Sequence, residues 1–87
     1  MFIRDPNLEI KVNQEVEDGS IYHGQLTLET GEREGYGVQV WKNGSCYDGY
    51  YLANKAHGKG KFVFANGDVY NGEWMNNKAH GQGTYIN

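Results

Sequence analysis

The sequence YDGYYLANKAHGKGKF, residues 47–62, returns 23 residues later as YNGEWMNNKAHGQGTY, residues 70–85. Eight of the sixteen aligned positions are identical, and the pairs Tyr51/Trp74 and Phe62/Tyr85 each replace one aromatic residue with another. Self-similarity at such a fixed period is typical of repeat proteins, in which each unit buries its apolar surface against its neighbour. The two copies therefore predict a chain built from stacked repeat units.

A less regular copy of the same pattern precedes these two. Its two recurring glycines, Gly24 and Gly35, are two residues farther apart than the equivalent Gly49 and Gly58 of the next copy. Insertions in repeat proteins usually enlarge a loop, so we expect one around residues 28–34. The predicted array spans residues 18–87, with units at about 22–46, 47–69 and 70–87, the last of them incomplete.

Each unit reads as two β-strands. Tyr47, Gly49 and Tyr51 alternate with other residues, and a period of two is typical of strands. The units are separated by Asp-Gly or Asn-Gly pairs, which tolerate the positive φ angles of tight turns, at residues 18–19, 43–44 and 66–67. We therefore predict an all-β chain that forms a single-layer, elongated antiparallel β-meander of tandem β-hairpins.

Aromatic residues and glycines share one face if the strands pair as these turns indicate. A ring from one strand can then lie over the bare backbone of the next, so the first role predicted for the rings is to hold the sheet together. A single sheet leaves such a face open, and open aromatic grooves are also typical of peptide-binding surfaces. The candidate groove residues for a partner are Tyr47, Tyr51, Phe62, Phe64, Tyr70, Trp74 and Tyr85.

The motifs Tyr-x-Gly-x-Tyr/Trp, His-Gly-x-Gly-x-Phe/Tyr and Asn-Gly, which recur across residues 18–87, resemble the MORN (membrane occupation and recognition nexus) repeat. The first unit departs from the pattern, with Gln39 at the place of Phe62, and we expect it to pack less regularly. The resemblance implies an extended single-layer sheet with a groove and an accessory role, as in junctophilins, plant phosphoinositide kinases, and ciliary and cytoskeletal scaffolds. It implies protein binding and self-association at least as strongly as lipid binding.

The two ends of the chain depart from the repeat. Residues 1–17 match no full unit, yet their apolar residues share one strand parity, which predicts an N-terminal capping strand or leader with one apolar face. These residues are Leu8, Ile10, Val12 and Val16. The last unit stops before its closing turn, so we expect an open edge at residues 80–86 and either a longer array or a joining surface there.

Composition and charge exclude several function classes. The net charge is −3, whereas nucleic-acid binders usually carry an excess of basic residues, so no nucleic acid is expected as a partner. Cys46, the single cysteine, stands at the place of Val69 and is predicted to be a small buried apolar residue. With no secretory leader and no apolar run near the ~20 residues of a membrane span, we expect a cytoplasmic protein, attached to the cytoskeleton or to a membrane.

No motif for catalysis, a cofactor or a metal emerges. Gly58-Lys59-Gly60 lacks the Ser or Thr and the following helix of a phosphate-binding loop. His57 and His80 recur two strands apart, about 10 Å, too far to share one ion. We predict that the chain is not an enzyme and has no catalytic residues, cofactor or metal site.

Three functions remain open. The leading hypothesis is a non-catalytic scaffold for protein–protein interaction and self-assembly, which binds an extended or helical partner segment and a second copy as a dimer. An alternative is a peripheral membrane module that binds acidic phospholipids through basic residues around one turn, at ~1 kcal/mol for each charge. Those residues are Lys55, Lys59, Lys61 and Lys78. A further alternative is a regulatory repeat segment of a larger enzyme such as a phosphoinositide kinase.

Overall fold

The computed structural model describes residues 5–87. Seven antiparallel strands form one open sheet, in which the spatial order follows the chain order. The strands are β1 Leu8–Glu15, β2 Ile21–Thr27, β3 Arg33–Val40, β4 Cys46–Leu52, β5 Lys55–Val63, β6 Val69–Met75 and β7 Lys78–Ile86. Within the described part of the chain, no helix is long and apolar enough to cross a membrane. The predicted all-β meander of hairpins is confirmed.

Turns inside the hairpins differ between the units. Residues 53–54 connect β4 to β5, and residues 76–77 connect β6 to β7. All four of these residues have positive φ angles between 50° and 70°, as two-residue turns that match the twist of a hairpin require. The connection from β2 to β3 is longer, residues 28–32. The insertion predicted in the first unit therefore lies in this loop.

Turns between the hairpins explain the recurring Asp-Gly and Asn-Gly pairs. In the turn after β5, the Asn66 side chain accepts the Asp68 N–H at 2.9 Å, and the Gly67 N–H donates to the Phe64 carbonyl at 2.9 Å. Gly67 has φ 95°, which glycine adopts without a steric penalty. The same side-chain bond recurs from Ser20 to Asp18 and from Ser45 to Asn43.

A row of glycines crosses six strands and sets the geometry of the sheet. Neighbours in this row lie directly opposite one another, in the order Gly24, Gly37, Gly49, Gly60, Gly72 and Gly83. A Cβ atom on Gly60 would overlap the Tyr47 ring, which lies over this position. Tyr22 covers Gly37 and Tyr70 covers Gly83 in the same way. The predicted stacking of aromatic rings on bare backbone is confirmed.

The buried core lies on one side of the sheet, called the aromatic face below. This face carries Tyr22, Tyr47, Tyr51, Phe62, Tyr70 and Trp74. The Tyr51 ring packs edge-on against Tyr22 and Tyr47, with centroids 5.3 Å and 5.1 Å away. Burial then decreases along the sheet, from 1% exposure at Tyr22 to 55% at Tyr85. The first hairpin, β2–β3, and the second, β4–β5, therefore provide most of the core.

Strand β1 does not present the single apolar face that its parity predicts. A bulge lies between Lys11 and Gln14, and Asn13 there has φ 55°. A bulge adds one residue to a strand and reverses the alternation beyond it. Val16 packs against the core, whereas Ile10 and Val12 are exposed, so the one-face prediction is wrong. Residues 1–4 of the predicted cap or leader lie outside the described residues.

Candidate functional site

The structure brings the seven predicted groove residues onto the aromatic face. Four of them form a row across the last four strands, because Tyr47 lies opposite Phe62, Phe62 opposite Tyr70, and Tyr70 opposite Tyr85. Tyr47 and Tyr51 are buried, Tyr85 is exposed, and the other four, Phe62, Phe64, Tyr70 and Trp74, are half-buried. The half-buried rings keep apolar surface that a partner could cover.

Trp74 is the centre of the ring contacts on this face. Its ring packs edge-on against Tyr47 and Tyr70, with centroids 5.4 Å and 5.3 Å away. Its indole N–H donates to the Gly60 carbonyl at 3.0 Å, which fixes the ring over β5. Phe62 lies 6.1 Å from Trp74, centroid to centroid. The rings form a connected surface whose shape is fixed by packing.

A cavity of about 240 Å³ opens on the aromatic face. Its apolar wall consists of Tyr47, Tyr51, Phe62 and Trp74, together with Trp41. Asp18 and Arg33 add two charged side chains to the same cavity. Sequence reasoning missed Trp41, Asp18 and Arg33 as residues of this surface, since all three belong to the less regular start of the array.

Arg33 lies near two rings of the aromatic face, one from each of the first two hairpins. Its guanidinium carbon is 5.9 Å from the Tyr22 ring centre and 5.7 Å from that of Tyr51, within the range of a cation–π interaction. Its Nη2 donates to the Asn54 carbonyl at 2.9 Å. The Nε atom is buried and has no hydrogen-bond partner among residues 5–87. Two ring contacts and one hydrogen bond therefore hold the guanidinium, and its Nε takes no part in that hydrogen bond.

Asparagines in the two-residue turns join each hairpin to the one before it. The Asn54 side chain accepts the Arg33 N–H at 2.8 Å, and the Asn54 N–H donates to the Arg33 carbonyl at 3.0 Å. Asn77 makes the same pair of bonds with Ala56, at 2.8 Å and 3.1 Å. The identity of these asparagines was visible in the sequence, but their partners were not, because the contacts are 21 residues apart.

Polar side chains replace an aromatic ring inside the first hairpin. Gln39 is 4% exposed, donates to the Ser20 hydroxyl at 2.7 Å and accepts from the Tyr51 hydroxyl at 2.8 Å. Buried polar groups need such partners, since an unpaired one costs about 1–3 kcal/mol. The first unit departs from the aromatic pattern but is fully bonded at this point.

The protonation states of this face follow from its surroundings. Burial raises the pKa of Tyr47 to about 12 and also raises the pKa values of Tyr22 and Tyr51, so these phenols are neutral at physiological pH. Hydrogen bonds from Ser20 lower the pKa of Asp18, and the Trp41 indole N–H contributes at 3.0 Å. Asp18 is therefore a carboxylate at the rim of a neutral aromatic surface.

The four predicted lipid-headgroup residues lie on the opposite face. All four, Lys55, Lys59, Lys61 and Lys78, are exposed. The sequence predicted that they surround one turn, but three of them are spread along β5. Lys55 lies opposite Leu52 and Lys61 opposite Asp48, which places the two lysines about 13 Å apart at ~3.3 Å per residue of β4. Lys59 lies opposite Glu73, and Lys61 opposite Asp48. Carboxylates therefore alternate with the lysines on this face.

The opposite face also carries the single cysteine. Cys46 was predicted to be buried but is half-buried, because its side of the sheet has no second layer. This partial burial raises the pKa of its thiol. Tyr36 and Tyr50 pack edge-on there, with ring centroids 5.7 Å apart. Among the described residues, no three His, Cys, Asp or Glu side chains are grouped to hold a metal ion.

The repeats match one known family model. The model of the MORN repeat matches residues 31–46, 47–69 and 70–86. These segments cover most of the chain. They include the two regular hairpins, β4–β5 and β6–β7, and strand β3 of the less regular hairpin before them. No curated protein matches the chain.

Proposed function

Because the chain belongs to the MORN repeat family, we propose that it is a non-catalytic scaffold for protein–protein interaction and self-assembly. MORN repeats are non-catalytic modules that are common in membrane- and cytoskeleton-associated proteins. A cytoplasmic location beside the cytoskeleton or a membrane follows from this proposal. If the repeats served a larger enzyme, such as a phosphoinositide kinase, the same surfaces would carry the regulation.

The observation that carries the proposal is the open aromatic face. Phe62 and Trp74 are half-buried and line a cavity of about 240 Å³, although their ring geometry is already fixed by neighbours. A rigid apolar surface loses little conformational entropy on binding, so a partner segment gains most of the energy of burying it. We propose an extended or helical segment of another protein as the occupant.

The exposed edge of β7 supports self-assembly. Edge strands are usually protected by charged residues, and residues 79–87 contain no Asp, Glu, Lys or Arg. If β7 pairs with β7 of a second copy about Gly83, each Tyr85 lies opposite the Gly81 of the other chain. Trp74 lies opposite Gly58 in the same manner within the sheet. Two β7 edges paired in this way would therefore place an aromatic ring opposite a glycine, as neighbouring strands of the sheet already do.

The groove proposal can be tested with a displayed library of random 12-residue peptides, selected on the whole chain. We expect selected peptides to bind at least about tenfold more weakly to Phe62→Leu and Trp74→Leu, since leucine keeps apolar packing but removes the ring. Tyr50→Leu, on the opposite face and 51% exposed, is the matched control. Peptides that bind the folded Phe62→Leu and Trp74→Leu variants as tightly as the unmodified chain would disprove a groove.

The membrane alternative has less support, because Glu73 and Asp48 lie opposite two of the lysines. Sedimentation with vesicles of phosphatidylcholine, with and without phosphatidylserine, measures it at low and raised salt. We expect no dependence on phosphatidylserine. Binding that is lost both at raised salt and on replacing the four lysines with glutamine would instead favour the peripheral membrane module.

A further inference from the structure

The first hairpin shows what the aromatic face can bind, because it holds its own cation. The Arg33 guanidinium lies within 6 Å of the Tyr22 and Tyr51 ring centres and donates to the Asn54 carbonyl at 2.9 Å. Two rings and one carbonyl oxygen thus form a cradle for a guanidinium group. This cradle is filled from within the chain.

The second hairpin repeats the cradle without the cation. The equivalents of the two rings and the asparagine, 23 to 25 residues later, are Tyr47, Trp74 and Asn77. The ring pairs have the same geometry: Tyr22 and Tyr51 are 5.3 Å apart at 87°, and Tyr47 and Trp74 are 5.4 Å apart at 87°. Asn77 also makes with the Ala56 backbone the two hydrogen bonds that Asn54 makes with the Arg33 backbone.

The difference lies at one position. Arg33 lies opposite Leu26 in the first hairpin, and Ala56 lies opposite Tyr51 at the equivalent place in the second. An alanine methyl group cannot cover the rings as a guanidinium does. The cavity of about 240 Å³ is lined by Ala56 together with Tyr47, Trp74 and Asn77. We call this space the second slot.

We propose that the second slot binds an arginine side chain of the partner segment, which deepens and rests on the proposed function of this face. The guanidinium would lie over Tyr47 and Trp74 and donate to the Asn77 carbonyl, as Arg33 does one unit earlier. Tryptophan is the strongest cation–π partner among the side chains. Arginine fits better than lysine, because its planar group stacks on rings and donates hydrogen bonds at the same time.

Charge around the second slot supports a cationic occupant. Asp18 lines the same cavity and is held as a carboxylate by Ser20 and Trp41. An adjoining cavity of about 510 Å³ adds Glu15 and Glu17. Arg33 lines the same cavity and is the opposing charge, and its guanidinium is engaged by Tyr22, Tyr51 and the Asn54 carbonyl. The carboxylates therefore outnumber the one resident cation.

The test begins with the peptides selected from the random 12-residue library on the whole chain. We expect arginine to be enriched at one position of the selected family. Synthetic peptides in which citrulline replaces that arginine keep the shape and lose the charge, and we expect their binding to be about tenfold weaker. Binding is measured by fluorescence anisotropy of the labelled peptide.

A second experiment fills the second slot with an arginine of the chain itself. Ala56→Arg reproduces the first hairpin, and we expect it to fold and to weaken peptide binding at least about tenfold. Ala79→Arg is the matched control, with the same change at the equivalent position of the last, exposed hairpin. It should leave peptide binding within about twofold of the unmodified chain. Circular dichroism and thermal unfolding establish that both variants are folded.

Each outcome separates this proposal from the one on which it depends. Peptides that need Trp74 but show no arginine enrichment, or tolerate citrulline, overturn the arginine slot and leave the groove intact. Peptides that bind folded Ala56→Arg as tightly as Ala79→Arg also overturn it. If no selected peptide depends on Phe62 or Trp74, both proposals fail.

Discussion

The first hairpin, β2–β3, and the second, β4–β5, share one backbone plan and fill it with different chemistry. Each places a tyrosine over a glycine of its own second strand, Tyr22 over Gly37 and Tyr47 over Gly60. Beside that tyrosine, the first hairpin has the buried Gln39, whereas the second has Phe62. The comparison teaches that the tyrosine–glycine contacts form the frame, while the neighbouring positions can be polar or aromatic.

The frame itself gives the largest predicted effect. Gly37→Ala and Gly60→Ala both place a methyl group where a tyrosine ring lies, so we expect each to destabilise the fold by about 3 kcal/mol, as when buried aromatic packing is lost. Gly83→Ala should cost less, because Tyr70 is only half-buried. Urea unfolding measures all three. A cost for Gly37→Ala far below that for Gly60→Ala would show that the hairpins do not share a frame.

The polar interior of the first hairpin gives the next effect. Gln39→Phe copies the second hairpin and leaves the buried Tyr51 hydroxyl without its acceptor, which we expect to cost about 2 kcal/mol. The double variant Gln39→Phe/Tyr51→Phe removes both polar groups and should recover most of that loss. Thermal and urea unfolding report the difference. No recovery in the double variant would mean that Gln39 acts through shape rather than through its hydrogen bond.

Alkaline pH should weaken both hairpins. Burial raises the pKa of Tyr47 to about 12 from the usual 10, so the folded state holds its proton more tightly than the unfolded chain does. The stabilisation is fully present below pH 10 and is lost as pH rises toward 12. For this buried phenol we expect a loss on the order of 2 kcal/mol, since each unit of pKa difference is worth about 1.4 kcal/mol. Urea unfolding from pH 9 to 12 should show that the free energy of unfolding falls less steeply for Tyr47→Phe than for the unmodified chain. An equally steep fall in both would contradict this prediction.

The cation of the first hairpin gives the smallest effect. Arg33→Ala makes this position resemble Ala56 and removes a half-buried cation–π contact, so we expect a loss of about 0.5–1 kcal/mol. Ala56→Arg should change stability by less than about 1 kcal/mol, since it adds the contact but also adds charge near Arg33. Urea unfolding of both variants checks this. A loss of several kcal/mol for Arg33→Ala would assign Arg33 to the core.

Much of the fold was predictable because it repeats. The tyrosine–glycine spacing follows from aligning residues 47–62 with 70–85, and the turn glycines and the location of the insertion follow from aligning the earlier copy with them. The side of the sheet that carries the predicted groove residues follows from strand parity. The bulge at Asn13 did not follow, because it depends on how β1 meets β2, including the bond from its N–H to His23. Residues 1–17 match no full repeat unit, so that contact could not be inferred from another copy.

The candidate site was predicted in part. The aromatic residues of the regular units recur and so were visible. Arg33 is replaced by Ala56 in the next unit, and Asp18 and Trp41 belong to the less regular start of the array. Arg33 could have been found as the residue that stands at the place of Ala56, had the insertion been assigned to residues 28–32. The lysines were predicted to surround one turn, but Lys59 and Lys61 lie farther along β5.

The sequence by itself determined the architecture of this protein, because a period of two within strands and of 23 between units leaves one way to bury tyrosine rings on glycines. Only the tertiary structure decided what the aromatic face can bind. Arg33 reaches Tyr51 and Asn54 in the next hairpin, and Asp18 meets Trp41, through contacts that no local pattern encodes. Those contacts depend on strand register and loop length, and together they distinguish a filled cradle from an open one.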